Sequence, residues 1–234
     1  VRSSWLLLPA LILPSPVLAQ DGLQQAAESL GQNSVLIMLA LTVLSLAPGI
    51  LITVTCFPFI VTVLSILRQS LGLQQSPPNM LIIALSMFLT WFIMDPVLRE
   101  AWQVAGAPLH DGEIGLAEAF GRGVAPFRQF MANRTDPDTL LRLAEIAPGA
   151  DGPADRLSVL IPSFMLSELQ RAFEIGFLIA LPFLIIDLVV AAVLMSMGMM
   201  MVPPVVVALP FKLAFFVAVD GWAMIAGALV RNYQ

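Results

Sequence analysis

The sequence predicts an all-α, membrane-associated fold built from bent, broken apolar helices around a helical polar insertion. Three observations carry this. Hydrophobic residues make up 59% of the chain and charged residues only 12%, with a mean hydropathy of +0.90. Soluble domains carry roughly 25% charge, so apolar surface this abundant must face lipid or other protein. Val35 to Leu67 and Leu188 to Phe211 contain no charge at all. Nothing in the polar stretch Val97 to Arg156 resembles a strand.

The elements follow in order. Arg2, the apolar run Trp5 to Leu13 and the small-residue site Val17-Leu18-Ala19 read as a signal peptide over residues 1–19. Residues 20–95 form an N-terminal apolar half. A helix over Val35 to Leu67 would be about 50 Å long, too long for one upright span, and Pro48-Gly49 and Pro58 are expected to break and kink it. Pro77-Pro78 marks a loop. Met80 to Met94 is short for a span and is expected to close at Asp95-Pro96.

Residues 96–156 are polar and read as a helical insertion between two apolar halves. Glu113 to Met131 is expected as one or two helices broken between Gly121 and Pro126. Asp136-Pro137 is a helix start, with Asp as cap and Pro in the first turn, and Pro148 a stop. Residues 157–234 form the C-terminal apolar half. Ser163 is expected to cap a helix there, and Pro182 to interrupt the next run.

One stretch organises this second half. Met195, Met197, Met199, Met200 and Met201 surround Gly198 and precede Pro203-Pro204. Glycine and the double proline argue against a continuous helix. Methionine is unbranched and polarizable, and fills irregular space without fixing one shape. The residues alone leave two readings open: a soft constriction between two apolar helices, or packing at a helix–loop junction.

Glu168, Asp187, Lys212 and Asp220 are charges set within apolar sequence, and Lys212 is the chain's only lysine. Such residues face other helices or a wet cavity, and pair. One cation among several acids favours assembly ion pairs over an ion relay. Glu168 or Asp187 is expected to pair with Lys212 or Arg171, across helices or subunits.

Several functions are unsupported. With a net charge of −5 and no basic run, nothing points to nucleic acid. No nucleophile motif, HExxH or phosphate loop is present, so the chain is read as no enzyme and as needing no cofactor. Cys56 is the single cysteine and is expected as a buried thiol; His110, the single histidine, is expected in solvent. The methionines lack the Cys or His that would suggest a copper site, so no metal is expected.

The residues then resemble a family. Ser163 to Leu169 (SFMLSEL), Phe173 to Phe177 (FEIGF), Leu181 to Ala191 (LPFLIIDLVVA), Met195 to Pro204, Leu209 to Leu213 (LPFKL) and Val219 to Trp222 (VDGW) are similar to the FliP/SctR family of type III secretion export-gate proteins, on its flagellar side. Leu41 to Pro48, Val63 to Gln69, Gln74 to Asn79, Phe88 to Thr90 and Ala125 to Met131 agree. The resemblance implies a multi-pass subunit of the flagellar export gate in the bacterial inner membrane and basal body, with a periplasmic part. It implies a homo-oligomer, a pentamer, wound with FliQ and FliR beside other export-apparatus membrane proteins. Unfolded flagellar proteins would pass through its channel. By position the family's methionine gasket falls on Met199, Met200 and Met201, leaving Met195 and Met197 to helix packing. One departure stands out: Thr55-Cys56-Phe57 is followed by Pro58-Phe59-Ile60, where the family has an arginine. The alternatives are an ion-coupled small-solute transporter, which needs titrating acids at a substrate site, and a purely structural membrane scaffold.

Overall fold

The computed structural model describes residues 49–73, 77–148, 156–199 and 201–233, with Met38, Leu41, Thr42, Ser45 and Leu46. The expected signal peptide and residues 20–34 lie outside the described residues. The five isolated positions are helical and exposed, and Thr42 and Ser45 donate their hydroxyls back to the carbonyls of Met38 and Thr42. From Gly49 onward the chain forms one compact unit. Among the described residues it is helical, with no strand.

The core is laid down by α1 (Phe57–Ser70), whose Phe59, Ile60, Val63, Leu64 and Leu67 are fully buried at helical spacing. Pro58 lies in its first turn, where no N–H partner is lost, so it starts this helix and does not kink it. A left-handed Gly72 ends the segment. Arg68 then holds the following turn by donating to Asn79 Oδ1 and, at 3.4 Å, to the Pro77 carbonyl.

The second helix, α2 (Asn79–Ala101), runs straight past Asp95-Pro96, where the sequence suggested an end. Proline removes one backbone bond and costs about 3 kcal/mol in a helix interior. Met94 is buried and Ile93, Val97 and Leu98 pack on the core on both sides of Pro96, and this packing outweighs the local cost. A π-helical turn, Trp102–Gly106, and the short α3 (Ala107–His110) continue the same rod. A Cβ on Gly106 would lie 2.3 Å from the Trp102 ring, so the indole lies directly over this glycine. The rod of 32 residues is long and apolar enough to cross a membrane. His110 is exposed at its end, against Asp111.

In the polar region α4 (Leu116–Arg134) is one unbroken helix, not two. A Cβ on Gly123 would come within 3.3 Å of Ala105, so glycine here serves close packing against the π turn. Helix α5 (Pro137–Ile146) starts as the sequence indicated: the Asp136 carboxylate accepts from the Thr139 N–H at 2.8 Å and from its hydroxyl at 2.7 Å.

Helix α6 (Leu157–Ser196) has 40 residues, about 60 Å, and passes through both Pro162 and Pro182. Ser163 is therefore not a cap. It is buried mid-helix and donates to the Val159 carbonyl at 2.7 Å. Gly176 lies so close to α1 that a Cβ would sit 2.4 Å from Ile66 Cδ1. The buried residues of α6 run from Val159 to Phe183, and beyond that only Leu194 is buried. Its partner α7 (Pro204–Ala218) repeats the pattern, burying Ala208, Lys212 and Phe216 but nothing nearer its start. The two form a hairpin packed at its base and bare toward its tip. Asp220, left-handed at φ 49°, then bends the chain by 62° into α8 (Gly221–Arg231). Gly221 is required there, since a Cβ would meet the Phe216 ring at 2.2 Å.

The Asp136 cap carries a testable pH dependence. The Thr139 hydroxyl, and then its N–H, hold the Asp136 carboxyl below the usual carboxylate range. Its stabilisation is therefore complete above the unfolded value of about 3.9 and is lost as pH falls through the lower folded value. In Asp136→Ala, α5 should lose amide-exchange protection at neutral pH and show no further loss from this group on acidification; equal protection at all pH would refute the cap.

Candidate functional site

The tip of the α6–α7 hairpin is built by backbone signals. Gly198, left-handed at φ 76°, ends α6: its N–H bonds the Met195 carbonyl and that of Met199 the Leu194 carbonyl, both at 3.0 Å. This is a Schellman cap. Pro203 and Pro204 start α7, Pro203 as the flanking residue and Pro204 in the first turn. A turn from Met199 to Val202 joins them, closed at 3.4 Å. Met201 is 98% exposed and Met199 42%, and Met200 lies outside the described residues. Met195 and Met197 are 61% and 67% exposed.

Between the two arms, just behind this turn, lies a cleft of about 560 Å³. Its walls are apolar throughout and include Val190 and Leu194 of α6, Val207 and Phe211 of α7, and Met197 and Met199 of the tip.

Below the cleft, Lys212 joins three helices. Its side chain is 4% exposed, and its ammonium donates to Asp187 Oδ2 on α6 at 2.6 Å and to the Ser70 carbonyl at 3.0 Å. Ser70 is the last residue of α1, so the cation also meets the negative end of that helix dipole. Asp187 Oδ1 is buried and has no hydrogen-bond partner among the described residues.

A second charged group lies at the other end of the packed region. Glu168 is fully buried, and its Oε1 accepts from Arg134 Nε at 3.2 Å and Arg171 Nη1 at 3.1 Å. The Tyr233 hydroxyl donates to Oε2. Arg134 also donates to the Asn232 carbonyl at 2.9 Å and lies over the Tyr233 ring, 4.1 Å from its centre. Arg171 donates in turn to the Arg134 carbonyl at 2.6 Å. The Ser167 hydroxyl accepts from the Asp136 N–H at 2.9 Å. Burial, followed by the Glu168 charge, raises the Tyr233 phenol above its ordinary value and keeps it a donor.

The structure thus brings Lys212 to Asp187, and Arg171 to Glu168 on the same helix. Asp220 is exposed and enters no ion pair among the described residues. Sequence reasoning missed Arg134 and Tyr233. Arg134 looked like one arginine among several in the polar region. Tyr233, the chain's only tyrosine, was the one available signal. Phe59 is fully buried with its ring edge-on to Tyr233, and Arg134 reaches Glu168 from outside α6. Cys56 is free and buried. Among the described residues no group of acids, His and Cys is arranged to hold a metal.

Two span-length apolar helices and a bent apolar pair define a membrane-associated α-helical protein. The FliP family model matches residues 40–229, and the chain belongs to the FliP family. It is 47% identical over 229 residues to the flagellar biosynthetic protein FliP of Caulobacter vibrioides, covering 95% of this chain and 86% of that one. It is 48% identical over 205 residues to that of Bacillus subtilis (86% and 92% covered), and 46% over 207 residues to that of Aquifex aeolicus (86% and 87%). Membership places the chain in flagellar biosynthesis, as a membrane-bound component of protein export, in a family of structural export-gate proteins.

The Glu168 cluster predicts an order of costs. Tyr233→Phe leaves one buried carboxylate oxygen without its donor, about 1–3 kcal/mol. Glu168→Ala strands two guanidinium groups and should cost about 3–5 kcal/mol. Thermal unfolding in detergent ranks them; a milder Glu168→Ala would mean that the arginines find other acceptors.

Proposed function

We propose that this chain is a channel-lining subunit of the flagellar type III export gate, and that Met199, Met200 and Met201 form its gasket. The observation that supports this best is the bare hairpin that carries a methionine turn at its tip. Flexible apolar side chains from several copies close the channel to small solutes and yield to an unfolded chain. The copies form a ring, a pentamer, with FliQ and FliR around them, in the inner membrane with residues 96–156 on the periplasmic side. Exposed apolar faces along α2, α6 and α7 suit such neighbours.

The charged residues serve assembly. Lys212 and Asp187 hold the hairpin base within each subunit, while the exposed Asp220 offers an acceptor to neighbouring chains. A transporter would need a wet cavity beside titrating acids. The cleft next to Asp187 is apolar, and Lys212 is already bonded to fixed partners, so no observation favours that reading.

Replacing Met199, Met200 and Met201 together by Ala should make an open-channel background conduct small ions while export persists; unchanged conductance removes the gasket. Lys212→Glu should abolish the intact complex, as read by its mass after detergent extraction, and Asp187→Lys in the same chain should partly restore it. Normal assembly of the single variant would count against the pairing role.

A further inference from the structure

We infer that the apolar cleft between the arms of the α6–α7 hairpin is a recess into which the tip methionines withdraw when a chain passes. The inference rests on the gasket reading and adds where the displaced side chains go. The cleft measures about 560 Å³ and is open to the surface, so a side chain can enter it without displacing either helix.

Its chemistry suits one occupant. The walls are apolar, so a methionine enters without stripping water from any polar group. The tether is short. Met197 and Met199 already form part of the wall, and Met201, the most exposed of the described methionines, follows two positions later. The backbone around the recess is pinned at both ends. The Gly198 cap and Pro204 fix the tip, and Lys212, bonded to Asp187 and Ser70, fixes the base. Opening can then proceed by side-chain rotation, which is fast, instead of by movement of the helices. Methionine has the three rotatable bonds this needs, and a branched residue has not. Apolar surface lost from the seal is reburied in the cleft, so the gate yields at small cost and reseals once the chain has gone.

Filling the cleft from either arm tests this. Val190→Phe and Val207→Phe place bulk on opposite walls and leave the tip unchanged. Each should slow export of flagellar subunits about ten-fold, with ion conductance and complex mass as in wild type. Leu188→Phe, which adds similar bulk on the exposed face of α6 outside the cleft, should export normally. Wild-type export in both filled variants overturns the recess, as does equal slowing by Leu188→Phe. A reduced complex mass in the filled variants also overturns it, because another chain would then occupy the cleft. If Val190→Phe fails to accumulate, Val207→Phe carries the same test. The two readings fail separately: a silent triple alanine variant removes the gasket, whereas a leaking one beside normally exporting filled variants removes only the recess.

Discussion

Burial of the Glu168 carboxylate is the constraint on which the packed part of this chain depends. An ionised carboxylate without water is tolerable only if its oxygens are fully supplied with donors. Arg171 comes from the same helix, but Arg134 lies at the end of α4 and Tyr233 beyond α8. Satisfying one side chain therefore fixes the polar region and the C-terminal segment against α6. Around that point Phe59, Phe130 and Tyr233 pack ring against ring, and Met131, Leu160 and Phe164 close a second apolar cluster. The rest of α6 takes its direction from this anchored half.

The chain divides into a region that satisfies itself and a region that does not. Up to Phe183 the long helix buries residues at regular spacing against α1, α4 and α5. Past the Asp187–Lys212 pair both arms present valine, leucine and methionine outward. A hairpin in that state is finished only by neighbours or lipid. The ion pair sits at the boundary, and it keeps the unfinished part from dragging on the finished part.

Much of this was legible in the sequence because the signals were local. Asp136-Pro137, Gly198 and Pro203-Pro204 each act through backbone geometry within a few residues, and each element begins or ends where they stand. The composition alone identified a membrane-associated helical chain. The prolines misled for the opposite reason. Pro96, Pro126, Pro162 and Pro182 all lie inside helices, because side chains far away in sequence outweigh one lost backbone bond. Ser163 had a cap's composition and a core position, and only the neighbours of α6 decide between them. Arg134 could not be singled out either, since nothing near it in sequence shows that its guanidinium reaches a carboxylate 34 residues on. The methionine turn was legible as a break; its exposure at the end of a bare hairpin was not.

The bend at Asp220 has a consequence for the order of events during synthesis. By turning the chain through 62° it carries α8 across the packed region, so that Tyr233 meets a glutamate made 65 residues earlier. A nascent chain that has emerged only as far as α7 has both arginines in hand but lacks the phenol that completes the carboxylate's shell. A product truncated after α7 is therefore left with an unsatisfied carboxylate oxygen at the centre of the packed region.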